Sequence, residues 1–218
     1  MVSGPTAYDP WTYVGKQHEL LKGTGLVQYG ETNSEYDPRY WRYALADENG
    51  DPPPIEDTVA WKTESPEIKG TDAGIYKVFY YVKEESGDYD FANSEMGSLR
   101  VIIKKQPIAV KQESLKAEDK EYDGTAAASV DCSKVEFVDL QGNPVKFAVD
   151  DKIGLTGVTG EFVDKSVGTG KTVNLDYTNA TLTGNKAGNY ELVVSDDCQK
   201  TATASFYCKA GNNYEYQG

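Results

Sequence analysis

Alternation with a period of two is the feature that narrows this chain most. From Ile75 onward, Tyr76, Val78, Tyr80 and Val82 fall on one side, while Lys77, Phe79, Tyr81 and Lys83 fall on the other. Leu99, Val101 and Ile103 alternate in the same way with Arg100, Ile102 and Lys104. So do Val173, Leu175 and Tyr177 with Asn174, Asp176 and Thr178, and Ala202, Ala204 and Phe206 with Thr201, Thr203 and Ser205. Successive side chains of an extended backbone point to opposite faces, so the pattern predicts strands with one buried face. Turn signals separate them: Asn49-Gly50, Gly87-Asp88, Asp123-Gly124 and Gly142-Asn143-Pro144. A lone sheet leaves its apolar face wet, so short strands at this spacing imply two sheets packed face to face. The expected class is all-β, and 16 tyrosines against two methionines agree with it.

The chain also echoes itself. "TYVGKQHEL" (12–20) is followed by "GTDAGIYKVFYYV" (70–82), and "KEYDGTAAA" (120–128) by "GNKAGNYELVV" (184–194). The spacing from Tyr13 to Ala73 is 60 residues and from Tyr122 to Ala187 it is 65. Two versions of one domain are expected, residues 1–106 and 107–208, with 209–218 a tail or the start of a linker.

One stretch competes with this reading. "KSVGTGKTVNLD" (165–176) contains Gly168-Thr169-Gly170-Lys171-Thr172, which looks like a phosphate-wrapping loop. The full pattern GxxxxGK[ST] needs a glycine at 165, where Lys165 stands, and a helix afterwards. The residues after Thr172 alternate instead, so no helix N-terminus aims its amides at a phosphate. The stretch is expected to be a hairpin whose glycines make the turn.

Charge excludes other classes. The net charge is −13, split −7 and −6 between 1–106 and 107–218. An evenly acidic chain repels nucleic acid and anionic lipid, so neither is an expected partner. No run approaches the ~18–20 apolar residues of a spanning helix, and "MVSGPTAYDPW" has no signal-peptide character. Cys132, Cys198 and Cys208 are too few for a disulfide scaffold and form no CxxC pair. Cys198 and Cys208 flank an expected strand and are a candidate pair in an oxidising compartment; three separate thiols are the other reading.

"Asp72-Ala73-Gly74-Ile75-Tyr76-Lys77-Val78" resembles the strand-F signature of immunoglobulin-like domains, in which a tyrosine hydroxyl bonds backbone at the sheet corner. The resemblance makes Tyr76, and Tyr190 in the second copy, structural tyrosine corners. It gives Gly74 the role of a close approach or a positive φ. More widely, "YDGT" (122–125), "TGEFVDKSVGTGKTV" (159–173) and "AGNYEL" (187–192) resemble the YDG-type repeat of bacterial surface proteins. "YVGK" (13–16), the segment 60–82, "DYDFANSE" (88–95) and "LRVIIKK" (99–105) are similar to the related MBG-type repeat. Together these cover roughly residues 8–208. The resemblance implies two tandem immunoglobulin-like β-sandwiches of an extracellular protein on the bacterial cell surface. They would be non-catalytic and without cofactor, flanked by neighbouring repeats, and act as a rigid spacer or adhesion segment. The cysteines and the stretch 35–57 depart from the family pattern, and Lys186 stands where the first copy has Asp72.

Tyr36 and Tyr40, beside Trp41, are candidate contacts for a glycan or host-protein ligand, whereas Trp41 shares a face with Tyr43 and Leu45 and belongs in the core. Phe79 and Tyr81 call for cover on the outer face, by the 46–58 loop or by a neighbouring subunit. Open sheet edges offer a route to a strand-exchanging fibre. Asp150-Asp151, Asp196-Asp197 and Asp88 with Asp90 match no calcium loop. His18 has no triad partners, and imidazole metal sites are not expected. Asn179-Ala180-Thr181 fits a glycan-acceptor triplet. A lysine-to-asparagine crosslink, which would release ammonia, is a further open possibility for such a sandwich.

Overall fold

A computed structural model describes residues 2–8, 10–29, 32–34, 41–46, 50–83, 96–196 and 198–208. Among them the chain is all-β: there are strands and two 3-10 turns, Ser65–Glu67 and Ala187–Asn189, and no α-helix. It divides into two compact units, Met1–Lys105 and Gln106–Gly218.

The strands of the first unit are β1 (Val2–Ser3), β2 (Trp11–Thr12), β3 (His18–Glu19), β4 (Leu26–Tyr29), β5 (Thr32–Ser34), β6 (Trp41–Leu45), β7 (Lys69–Gly70), β8 (Gly74–Val82) and β9 (Gly97–Lys104). A four-stranded sheet runs β2–β9–β8–β6, with β1–β4–β5 and β3–β7 as smaller sheets. Long β8 is its spine, antiparallel to β6 and β9, while β2 joins β9 in parallel through Trp11↔Ile103 and Thr12↔Lys104. The alternation in β8 and β9 turns Val78, Val101 and Ile103 inward, where Trp41 and Tyr43 stack with ring centroids 6.0 Å apart. Burial pushes the Tyr43 phenol well above its ordinary range.

Large inward rings need room on the facing backbone, and glycines provide it. A β-carbon at Gly70 would come within 2.7 Å of the Tyr76 ring. Gly4 and Gly97 are pressed in the same way against Tyr80, and Gly25 against Trp41. Gly74 does neither of the jobs its motif suggested: its φ is not positive and the space about it is open. The tyrosines of β8 crowd other glycines: Gly70, just ahead of the motif, and Gly4 and Gly97, far from it in sequence.

The outer face of β8 is covered. Phe79 and Tyr81 are buried with Ala44 and Trp61, and Trp61 meets Tyr81 edge-on at 4.8 Å. Trp61 Nε1 donates to the Pro54 carbonyl at 3.0 Å, and the Asp57 carboxylate accepts from the amides of Val59 and Ala60. The cover is therefore the chain's own segment, with its ring three residues beyond the 46–58 loop.

The second unit holds β10 (Gln106–Val110), β11 (Lys116–Ala117), β12 (Lys120–Glu121), β13 (Ala127–Ala128), β14 (Val130–Asp131), β15 (Phe137–Val138), β16 (Gly154–Thr156), β17 (Thr159–Phe162), β18 (Gly168–Asp176), β19 (Thr181–Thr183), β20 (Tyr190–Leu192) and β21 (Thr201–Tyr207). Its main sheet is β12–β21–β18–β17–β13; β15–β10–β20 is a second sheet, and β11–β14 and β16–β19 are pairs. Val173, Ala204, Phe206, Phe162 and Ala128 make one core cluster. Ile108, Ala109 and Val110 are buried consecutively, as expected for a strand covered on both faces.

The echo does not carry over to the strands. "AGIYKV" opens the nine-residue spine β8, which pairs with the next strand, β9. "AGNYEL" gives only the three-residue β20, parallel to β10 in the smaller sheet. The spine of the second unit is β18, and the final strand β21 pairs with it. The stretch "KSVGTGKTVNLD" holds that spine. Its glycines correct a second expectation: the turn after β17 is residues 163–167, and Gly168 and Gly170 lie inside β18. There the register against β21 shifts, and Gly170 takes φ +62°. A bulge, not the turn, needs the glycine.

Candidate functional site

The most elaborate polar constellation among the described residues surrounds Phe206. The YDG triplet forms a turn in which Gly124 has φ +84° and Asp123 Oδ1 accepts from the Thr125 amide and hydroxyl, each at 2.8 Å. Asp164 and Ser166 repeat the arrangement in the turn after β17, where Asp164 Oδ1 accepts from the Ser166 amide at 2.8 Å and from its hydroxyl. Short acidic side chains fold back onto backbone amides in this way and fix a turn without a helix or ladder.

A lysine closes each turn. Lys120 Nζ reaches Asp123 Oδ1 at 2.8 Å, Thr125 Oγ1 at 2.7 Å and the Ala127 carbonyl at 2.8 Å. Lys171 Nζ donates to the Asp164 carboxylate, to the Ser166 carbonyl and to Ser166 Oγ. Both ammonium groups lie over the Phe206 ring, 5.6 and 6.0 Å from its centroid. Phe162 stacks on that ring at 5.0 Å and Tyr122 tilts against it at 5.5 Å. Lys120 holds the Asp123 carboxyl at about 2, helped by Thr125. Lys171, helped by Ser166, does the same for Asp164.

This arrangement organises backbone and offers little to a substrate. The Lys171 side chain is 11% exposed and its donors already have acceptors on its own hairpin. Both enclosed lysines end on aspartate turns, not on an asparagine amide of the kind a crosslink would join. Two shallow depressions adjoin the sheet. One of about 330 Å³ lies over Ala127 and Gly160 beside Glu161 and Asp176, and one of about 350 Å³ over Lys120 beside Glu118 and Asp119. No group of three or more His, Cys, Asp or Glu side chains with metal-binding placement occurs among the described residues.

Tyr76 Oη donates to the Asp72 carbonyl at 2.7 Å, at the corner where the chain enters β8. Tyr190 Oη donates to Asp151 Oδ2 at 2.7 Å, so its hydroxyl ties the strand to a side-chain carboxylate. Phe147 packs on that ring at 5.3 Å. Tyr36, Tyr40, Asp88, Asp90 and Asp197 lie outside the described residues. Trp41 is fully buried. His18 stacks on Trp11 at 4.5 Å.

The candidate pair Cys198–Cys208 is corrected. All three cysteines are free, Cys198 buried and Cys208 exposed. The seven residues of β21 run extended between them, which alone separates the two by roughly 20 Å. A disulfide needs Cα atoms about 4.4–6.8 Å apart. Flanking a strand is the geometry that keeps two thiols apart.

Gln199 carried no signal in the sequence, and it joins strands far apart in the chain. Buried, it accepts from the Leu115 amide at 2.8 Å and donates to the Leu115 and Thr201 carbonyls at 2.9 Å. Its carbonyl accepts from the Tyr177 hydroxyl at 2.6 Å. Burial, reinforced by neighbouring Cys198, pushes that phenol well above its ordinary range.

Residues 104–204 match the YDG domain family, a span that includes Tyr122-Asp123-Gly124 and both lysine-closed turns. No curated protein matches the chain.

Proposed function

Starting from a second unit that is YDG-type, we propose that the chain is a tension-bearing spacer. It would be a pair of tandem immunoglobulin-like modules, the first MBG-type, from a bacterial surface protein, non-catalytic and without a cofactor. The observation that carries this reading is the pairing of early with late strands. In the first unit β2 runs parallel to β9, the last strand, and the Tyr13 amide extends the ladder to the Lys104 carbonyl at 2.9 Å. In the second unit β10 runs parallel to β20 and β12 to β21, with the Tyr122 amide on the Tyr207 carbonyl at 2.7 Å.

Pulling the two ends of such a unit apart slides parallel strands along each other. The ladder's hydrogen bonds then share the load, whereas a hairpin opened from its mouth breaks its bonds one at a time. A stalk between a cell envelope and a binding tip is under that kind of tension. Enclosed lysines, a buried glutamine and shallow open depressions suit a part that holds its shape.

Labelling of intact cells tests the setting. An antibody raised against the folded chain is expected to stain unbroken cells, and brief external protease treatment is expected to remove the stain. Staining only after lysis contradicts the reading.

A further inference from the structure

Asn179-Ala180-Thr181 is the chain's one Asn-x-Ser/Thr triplet, although the chain has ten asparagines. The fold puts it at the tip of a braced turn. β18 ends at Asp176, whose carboxylate accepts from the Thr178 amide at 2.8 Å and hydroxyl at 2.6 Å. The Ala180 amide then closes a β-turn onto the Tyr177 carbonyl at 2.9 Å, and Tyr177 is anchored through its hydroxyl to Gln199. The backbone side of the turn is packed: Gly157, at φ +79°, lies so close beneath the Asn179 carbonyl that a β-carbon would collide with it. The side-chain face is open, with Asn179 and Thr181 both exposed.

Other asparagines of this unit have structural work. Asn143 Nδ2 binds the Asp139 carboxylate. Asn185 bridges the Asp150 carbonyl and the Lys152 amide, and Asn189 is buried. The Asn179 side chain is exposed and its amide makes no hydrogen bond among the described residues, so substituting it removes no hydrogen bond from the fold.

We propose that Asn179 is a glycan acceptor. A transferase would bring an activated sugar, nucleotide- or lipid-linked, to the turn. Asn179 Nδ2 forms the new bond to the anomeric carbon as the bond to the donor's phosphate breaks. The phosphate leaves with the electron pair, and the amide proton passes to a base of the transferase. The Thr181 hydroxyl, two residues on and also exposed, is the group by which such an enzyme recognises the triplet.

Mass mapping of the chain recovered from its own cells is the test. The peptide containing Asn179 is expected to carry one or more sugar residues, with fragment ions placing them on Asn179. Asn179→Gln and Thr181→Ala abolish the addition, while Thr181→Ser keeps it. An unchanged thermal midpoint in all three variants shows that the fold is not the cause. Incubating the unmodified folded chain with cytosol plus labelled nucleotide sugar, or with membranes carrying labelled lipid-linked sugar, separates the two donors. An unmodified Asn179 peptide from native cells together with no label in either incubation overturns the proposal, as does label that persists in Asn179→Gln.

Discussion

The two units reach the same end by different strand orders. In the first, a motif tyrosine opens the spine β8, and the next strand, β9, completes the hairpin. In the second, the matching tyrosine sits on the short β20, and the spine β18 comes earlier in the chain. Their cores differ as well: rings over glycines in one, and an aromatic stack flanked by two lysine-closed turns in the other. What they share is early strands parallel to late ones. The shared feature is the one that tension would test, and the local motif is free to move within the sheet.

The largest expected effects come from the two ring cores. Trp41→Ala and Phe206→Ala each remove a fully buried ring and are expected to cost about 3–5 kcal/mol. Amide exchange should accelerate in β6, β8 and β9 for the first, and in β18 and β21 for the second. Acceleration in both units from one substitution would break the division. Gln199→Ala follows, at about 3 kcal/mol, because it strands the buried Leu115 backbone groups. Denaturant melts monitored in the second unit measure it.

Glycines sharpen the comparison further. Gly70→Ala forces the Tyr76 ring aside, at about 1–3 kcal/mol. Gly74→Ala and Gly188→Ala, in the echoed motif itself, face open space and should stay within about 0.5 kcal/mol of the parent. A large loss at Gly74 would restore the role that the motif suggested.

The smallest effect is electrostatic. The Asp164 carboxyl, normally at 3.8, is held at about 2 by Lys171. A carboxyl depressed in the folded state stabilises above its unfolded value and loses that contribution as pH falls through the folded one. The contribution of Asp164 is therefore complete above about pH 4 and fades toward pH 2. Lys171→Met should return the Asp164 titration, followed by NMR, toward 3.8; an unmoved titration would remove the lysine as its cause.

The period-two pattern made the β class legible, and burial in β9, β18 and β21 follows the faces it assigned. Tyr76 was found through a motif because its bond spans only four residues. The bond of Tyr190 spans 39 residues and the Gln199–Leu115 bonds span 84. No local spacing encodes contacts of that range. Nor did the echo of "AGIYKV" in "AGNYEL" reveal sheet order, because order depends on which long strand finds which partner. A hairpin was expected around Lys171, but its ion pair with Asp164 depends on how that hairpin brings position 171 back to 164.

Single-molecule pulling of the full chain by its two ends tests the central claim most directly. Two discrete unfolding steps are expected, each releasing about 3.6 Å per residue of one unit. Moving the C-terminal attachment point to the segment joining β8 and β9 pulls the parallel strands β2 and β9 apart from the same end, one bond at a time, and should lower that unit's force several-fold. Equal forces in the two geometries, or smooth extension without steps, would contradict the account.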